Sequence, residues 1–168
     1  DKGEKIQAVI NVPEGADDNY LFFVTKMGTV KRTKVSEFQN IRRSGLIALT
    51  LRDGGELNNV LTTDGKQNIL IGTHLGYAVT FNENDVRSMG RTAAGVRGIN
   101  LRDNDYVVGS DILEPNSEVL VISEKGYGKR TAASEYPVKG RGGKGIKTAN
   151  ITEKNGPLAG VTVVNGDE

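Results

Sequence analysis

Short apolar runs separated by polar turns dominate the chain, and three of them recur with similar neighbours. The runs "YLFFVTKMG", "ILIGTHLG" and "EVLVISEKG" each place an apolar stretch before a glycine, at Gly28, Gly76 and Gly126. After the glycine comes a second strand-like run, which is "TVKRT", "YAVTF" or "YGKRT". A strand, a glycine turn and a second strand predict a β-hairpin in each of three repeats.

A second series of glycines, Gly45, Gly95 and Gly145, is spaced at intervals of 50 residues. Each of these glycines precedes another strand-like run, over residues 46–50, 96–100 and 146–150. A polar turn follows, and a further strand then opens the next unit, over residues 57–63, 106–113 and 158–164. Four short strands in about 50 residues are typical of a propeller blade.

The repeats predict an all-β, propeller-like fold with three four-stranded antiparallel blades. We expect repeats over approximately residues 6–55, 56–105 and 106–157, with 158–168 starting the next repeat, so that 1–168 forms one partial domain. Three blades are too few to close a ring, so an open arc or part of a larger ring is expected. A β-solenoid is the second architecture considered, but its repeats are shorter and lack hairpin glycines.

Composition excludes several classes of protein. The 168 residues contain no cysteine, which excludes disulfides and thiolate metal sites. No apolar run approaches the roughly 18 residues of a membrane span, so no membrane partner is expected. Because the chain begins at Asp1 rather than Met, we expect a piece of a longer protein. The net charge is only +1, so any affinity for nucleic acid must depend on where the charges lie.

The positive charges concentrate in the long connections "KVSEFQNIRRSG", "ENDVRSMGRTAAG" and "ASEYPVKGRGGKG" and in the strands beside them. Residues 125–147 carry seven basic side chains against one acid, Glu135. Glycine allows the backbone to approach a ligand closely, and Arg and Lys bind phosphate oxygens. The predicted DNA-binding residues are Lys31, Arg32, Arg42, Arg43, Arg91, Arg97, Lys129, Arg130, Lys139, Arg141, Lys144 and Lys147.

The most basic loop also satisfies G-x-G-x-x-G, over residues 140–145. A dinucleotide site would need a strand before it and a helix after it, whereas Pro137 precedes it and strand-like residues follow. A P-loop would need Ser or Thr after Lys144, where the chain has Gly145. We therefore interpret the loops as a curved basic track for a bent phosphate backbone, with solvated turns as the alternative.

No catalytic or metal site is predicted. His74 is the only histidine, so neither a Ser-His-Asp triad nor a histidine metal cluster can be assembled from the sequence. The acidic residues fall mainly in turns between strands and lack the spacing of a calcium loop.

Three stretches, "GTVKRTKVSEF", "VRSMGRTAAGVRGINL" and "GYGKRTAASEYPVKGRGGKG", resemble the C-terminal domain of DNA gyrase A, which is part of a type IIA topoisomerase. The resemblance covers essentially the whole chain. It implies a β-pinwheel, usually of six blades, that wraps DNA on its basic perimeter and supports ATP-dependent negative supercoiling. The paralogous C-terminal domain of topoisomerase IV and a propeller-type protein-interaction scaffold are the alternatives.

The resemblance also implies partners and limits. Duplex DNA, gyrase B and the rest of gyrase A in a heterotetramer are the implied partners, in the bacterial cytoplasm at the nucleoid. ATP and Mg²⁺ would be used by other domains, with no cofactor in this piece. None of the five tyrosines follows an arginine, as the family's nucleophile does. The family's Gln-Arg-Arg-Gly-Gly-Lys-Gly box lies in its first blade, and residues 139–145 are only related to it.

Overall fold

The computed structural model describes residues 5–11, 18–41, 46–51, 56–90 and 93–165. Within them the chain forms thirteen strands and three short 3-10 segments, Val35–Ile41, Glu83–Asp85 and Ala133–Glu135. The strands are β1 (Lys5–Asn11), β2 (Tyr20–Thr25), β3 (Thr29–Lys34), β4 (Leu46–Leu51), β5 (Leu57–Thr63), β6 (Asn68–Thr73), β7 (Tyr77–Asn82), β8 (Val96–Arg97), β9 (Val107–Ile112), β10 (Glu118–Ser123), β11 (Gly128–Ala132), β12 (Ile146–Lys147) and β13 (Leu158–Val164).

The strands form successive antiparallel sheets. The first sheet has the order β5-β2-β3-β8, the second β9-β6-β7-β12 and the third β13-β10-β11. Strand β1 pairs separately with β4. Four-stranded antiparallel blades in series confirm the predicted all-β, propeller-like fold class.

The three predicted hairpin turns are confirmed. Gly28, Gly76 and Gly126 have φ angles of 89°, 94° and 91°. Their amides donate hydrogen bonds of 3.0, 3.1 and 3.0 Å to the carbonyls of Thr25, Thr73 and Ser123, respectively. The turns therefore repeat in geometry as well as in sequence.

The fourth strand of each complete blade lies elsewhere than expected. We expected the runs that follow Gly95 and Gly145 to close the sheets of their own repeats. Instead β8 pairs with β3 of the first sheet, with Val96 opposite Val30, and β12 pairs with β7 of the second sheet, with Ile146 opposite Ala78. Because β5 and β9 also lie in the following repeat, each complete blade takes both of its outer strands from that repeat, which links successive repeats through backbone hydrogen bonds.

The glycine before each exchanged strand permits this close approach. A Cβ atom on Gly95 would lie 2.6 Å from the carbonyl oxygen of Val30, and one on Gly145 would lie 2.6 Å from that of Ala78. Both glycines also have positive φ angles, of 92° and 85°. A side chain at either position would collide with the strand that it must join, and its backbone would be strained.

Successive side chains of β6 point to opposite faces of the second sheet and pack into two different clusters of the core. Ile69 and Ile71 are fully buried in a cluster with Phe22 of the first sheet, whereas Leu70, between them, is buried against the third sheet in a cluster with Val161. Burying one such aliphatic side chain contributes roughly 1.5–3 kcal/mol. The central strand of the second sheet therefore packs on both neighbours, as a strand between two blades must.

Helical structure is minor among the described residues. The longest helical segment, Val35–Ile41, has seven residues and is broken at Phe38, where φ is −107° and ψ is 17°. None of the described helices has the length and apolarity that a membrane crossing requires.

We expect Gly145→Ala to destabilise the fold by about 1–3 kcal/mol, because the new Cβ would meet the Ala78 carbonyl at a strained φ angle. Gly143→Ala is the matched control, since no atom lies within 4 Å of a Cβ at Gly143. The control should stay within about 1 kcal/mol of the unsubstituted chain. Urea unfolding of both variants measures the difference, and equal midpoints would contradict the steric argument.

Candidate nucleic-acid interface

Two connections run along the outer edges of the first and second sheets. Residues 86–90 pass β3, where the amide of Met89 donates to the carbonyl of Arg32 at 2.8 Å. Residues 136–145 pass β7, where the amide of Lys139 donates to the carbonyl of Thr80, also at 2.8 Å. Arg32 and Thr80 each lie four residues after a hairpin glycine. The repeat therefore places both connections at equivalent edges of successive blades.

The glycine loop, residues 138–145, also contacts the preceding repeat. The amide of Gly142 donates to the carbonyl of Gly98 at 2.7 Å, and the amide of Asn100 donates to the carbonyl of Gly143 at 2.8 Å. These two bonds join the glycine loop to the residues that follow β8. The basic loop of the third repeat is thus held against the exchanged strand of the second.

The predicted DNA-binding residues fall into four groups. Arg42, Arg43 and Arg91 lie outside the described residues, so their placement stays a prediction. Arg32 is buried and Lys31 is half-buried. The other seven side chains are exposed, and these are Arg97, Lys129, Arg130, Lys139, Arg141, Lys144 and Lys147.

Arg32 is buried and contacts other parts of the fold, so its guanidinium is not accessible to an external ligand. Its side chain is only 7% exposed, and its guanidinium lies 4.4 Å from the centre of the Tyr20 ring. Nε donates to the carbonyl of Val86 at 2.9 Å, and Nη1 forms an ion pair with Glu83 at 3.2 Å. The charge is neutralised inside the fold, where it fastens β3 of the first sheet to the segment that follows β7.

Glu83 is the acid that completes this contact, and sequence reasoning missed it. Its carboxylate is fully buried and accepts hydrogen bonds from the Thr63 hydroxyl at 2.6 Å and from the amides of Gly65 and Gln67 at 3.1 and 2.8 Å. Such partners offset the cost of burying a carboxyl group. The sequence feature that could have identified Glu83 is its position directly after the buried strand β7.

The turn that Glu83 binds is further ordered by Asp64. Its carboxylate accepts hydrogen bonds from the amide of Lys66 at 2.9 Å and from the Gln67 side chain at 3.0 Å. These bonds favour the ionised form, and the backbone bond from Lys66 contributes most to lowering the pKa of Asp64.

Two other predicted DNA-binding residues use their charged groups in contacts within the chain. The Lys31 ammonium lies 5.6 Å from the centre of the Phe23 ring. The Arg130 guanidinium forms an ion pair with Glu118 at 3.0 Å and donates to the carbonyl of Asn165 at 3.2 Å. Both remain at least partly accessible, but their charges are less available than those of the loop lysines.

Two arginines, one in the glycine loop and one outside it, donate to backbone carbonyls at this edge. Arg141 donates to two backbone carbonyls, those of Asp85 and Arg97, at 3.0 Å each. Arg102, which sequence reasoning also missed, donates to the carbonyl of Lys144 at 2.8 Å and stacks on the Tyr77 ring at 3.5 Å.

By contrast, the ammonium groups of Lys139, Lys144 and Lys147 are exposed. They have no hydrogen-bond or ion-pair partner within the part of the chain that the structure describes. These three charges are therefore available to an external anion.

Groups suited to catalysis or metal binding are not brought together among the described residues. His74 stacks on Tyr106 with ring centres 4.4 Å apart, and its Nδ1 lies 3.1 Å from the carbonyl oxygen of Leu158. Tyr136 is buried and hydrogen-bonds to Thr148. In the same described ranges, no cluster of three or more His, Cys, Asp or Glu side chains could hold a metal ion.

Sequence comparison relates the chain to a known family. Residues 19–64, 67–114 and 117–165 match the family described as DNA gyrase C-terminal domain, beta-propeller. The chain is 49% identical to the DNA gyrase A protein of Staphylococcus aureus strain NCTC 8325 over 168 residues, and 50% identical over 155 residues to that of strain MRSA252. The two matches cover 98% and 91% of this chain, but the chain spans only about a fifth of either relative, 19% and 18%.

Solved structures agree with the fold. A DNA topoisomerase IV C-terminal domain matches with a TM-score of 0.79 and 28% identity, over 88% of this chain and 47% of that one. A DNA gyrase A C-terminal domain matches with a TM-score of 0.74 and 26% identity, over 93% and 56%. The E. coli ParC C-terminal domain, at 21% identity and a TM-score of 0.66, supports the fold alone, over 89% of this chain and 63% of that one.

We expect Arg32→Ala to destabilise the chain by about 3–5 kcal/mol, because it would leave the buried Glu83 carboxylate without its counter-charge. Lys34→Ala is the matched control, since Lys34 lies two residues away on β3 and is exposed. The control should change the free energy of unfolding by at most about 0.5 kcal/mol. Urea unfolding provides the measurement, and similar values for both variants would contradict the internal role of Arg32.

Proposed function

The chain belongs to the DNA gyrase C-terminal domain, beta-propeller family, and from that membership we propose that it binds duplex DNA along the loop-bearing edges of its blades. The observation that carries this proposal is the set of exposed lysines in and beside the glycine loop, Lys139, Lys144 and Lys147. Ammonium groups without internal partners can replace the counterions of a phosphate backbone.

The geometry supports contact with phosphates rather than with base edges. Reading a major groove requires an inserted helix or β-ribbon with projecting side chains. The described connections are instead 3-10 segments and glycine-containing loops that lie against sheet edges. We therefore propose binding without sequence preference, in which the loops position the duplex.

Equivalent loops on successive blades favour a bent path for the DNA. The exchanged strands β8 and β12 link the first and second sheets to the loops of the second and third repeats. We propose that the duplex curves along these loops. Bending 20–30 bp costs of order 1–6 kcal/mol, so a curved duplex needs several points of attachment. We propose that the chain supplies such points to a wrap that supports negative supercoiling.

The activity of the longer protein is part of the proposal. The chain spans 19% of the curated gyrase A relative from strain NCTC 8325. In a gyrase, the remainder of gyrase A, together with gyrase B, would supply strand passage and the use of ATP and Mg²⁺, in the bacterial cytoplasm at the nucleoid. This chain would set the path of the bound DNA and would itself need no cofactor.

A second candidate is the equivalent module of topoisomerase IV, which the TM-score of 0.79 to such a domain favours. We propose that the two candidates differ in the path of the bound DNA. A wrapping module should constrain supercoils in relaxed plasmid, whereas a module that only contacts DNA should leave the linking number unchanged. Failure to bind any duplex would instead favour a protein-interaction scaffold.

Replacing both Lys139 and Lys144 by Ala should lower the slope of log affinity against log salt by roughly two, at about 0.9 per phosphate contact. Stability should change by at most about 0.5 kcal/mol, because both side chains are exposed. Lys66→Ala with Lys154→Ala removes the same charge from positions outside the loop and should leave the slope nearly unchanged. Titration of a 30 bp duplex tests this, and equal slopes for the two double variants would argue against the loop as the contact.

Competition between unrelated duplexes of equal length should yield affinities within about tenfold, because phosphate contacts do not distinguish sequence. Fluorescence anisotropy at fixed salt concentration measures the competition. A preference of a hundredfold for one duplex would contradict binding through the backbone.

A further inference from the structure

We infer that Arg141 is a positioning residue, which holds the glycine loop in the shape that presents the neighbouring lysines rather than neutralising a phosphate itself. The inference deepens the proposed function and rests on it for its DNA-binding part. Although exposed, Arg141 differs from Lys139 and Lys144 in what its side chain already binds.

The Arg141 guanidinium joins three parts of the chain. Its Nε donates to the carbonyl of Asp85, in the 3-10 segment that follows β7. Its Nη1 donates to the carbonyl of Arg97, in the exchanged strand β8 of the first sheet. One side chain in the third repeat therefore connects an element of the second sheet with an element of the first.

Arginine suits this contact in a way that lysine does not. The guanidinium holds its N–H groups in a rigid plane, so Nε and Nη1 can reach two carbonyls at once. An ammonium has three donors on one nitrogen at the end of a flexible stem, so it lacks the fixed spacing between Nε and Nη1 that fits the carbonyls of Asp85 and Arg97. The positive charge alone does not supply the connection.

The loop needs such a connection because of its composition. Three of its residues around Arg141, namely Gly140, Gly142 and Gly143, are glycines, which lose more backbone freedom on ordering than other residues. The bonds between Gly142 and Gly98 and between Asn100 and Gly143 lie beside the Arg141 contacts. Arg141 and these bonds together fix the glycine loop against residues 97–100.

Arg141 connects two segments that each carry an exposed cation. Arg97, whose carbonyl accepts from Arg141, carries an exposed guanidinium of its own. Lys144, three residues after Arg141, presents an exposed ammonium. Arg141 thereby couples a charge of the second repeat to a charge of the third, so that both can contact one DNA backbone.

The experiment compares Arg141→Lys, Arg141→Ala and Lys144→Ala in the full chain by two measurements. The first is amide hydrogen exchange at Gly142 and Asn100 without DNA, which does not depend on the proposed function. The second is the affinity for a 30 bp duplex and its salt slope. Arg141→Lys keeps the charge and removes the two-carbonyl contact, so it separates position from charge.

We expect both Arg141 variants to accelerate exchange at Gly142 and Asn100 by about tenfold or more, as the loss of charge-assisted hydrogen bonds implies. Both should also weaken DNA binding to a similar extent. Lys144→Ala should leave exchange unchanged and lower the salt slope by about one.

The inference is overturned if Arg141→Lys behaves as the unsubstituted chain in both measurements while Arg141→Ala lowers the salt slope by about one. Unchanged exchange in both Arg141 variants would also overturn it. If the unsubstituted chain binds no duplex, the proposed function fails, and the exchange measurement still decides whether Arg141 holds the loop.

Discussion

Backbone hydrogen bonding between one repeat and the next is the constraint on which the rest of the structure depends. It requires that Gly95 and Gly145 carry no side chain, since a Cβ at either would lie 2.6 Å from a carbonyl oxygen of the receiving strand. Strands β8 and β12 therefore join each repeat to the sheet of the repeat before it. The buried ion pair of Arg32 and Glu83 adds a second connection between the first and second blades.

The same constraint explains how a nearly neutral chain presents a basic edge. The connections before β8 and β12 are anchored at both ends, by an amide bond to β3 or β7 and by the exchanged strand itself. Their length then has to be accommodated along the edge of the sheet. Carbonyl contacts occupy the arginine at the centre of the glycine loop, whereas the lysines on either side stay free among the described residues.

Sequence patterns predicted the elements better than their partners. The hairpins follow from apolar runs next to glycine, which are local signals. The destination of β8 and β12 does not, because a two-residue strand has no alternation to read and its partner lies more than sixty residues away. Arg32 and Arg130 occupy the same place in "KRT", yet only Arg32 is covered, by a segment of the next repeat. Burial of a charged side chain depends on such distant contacts, which local pattern cannot report.

Strand exchange also makes the folding of each sheet depend on the order in which its strands are synthesised. As a ribosome releases the polypeptide from the N-terminus, β3 emerges about sixty residues before β8, the strand that pairs with its outer edge. For that interval the first sheet has an open edge, which is the part of a β-protein most prone to pair with another chain. The second sheet likewise has an open edge until β12 is synthesised. Assembly is therefore sequential, and an insertion or frameshift in one repeat would damage the blade synthesised before it.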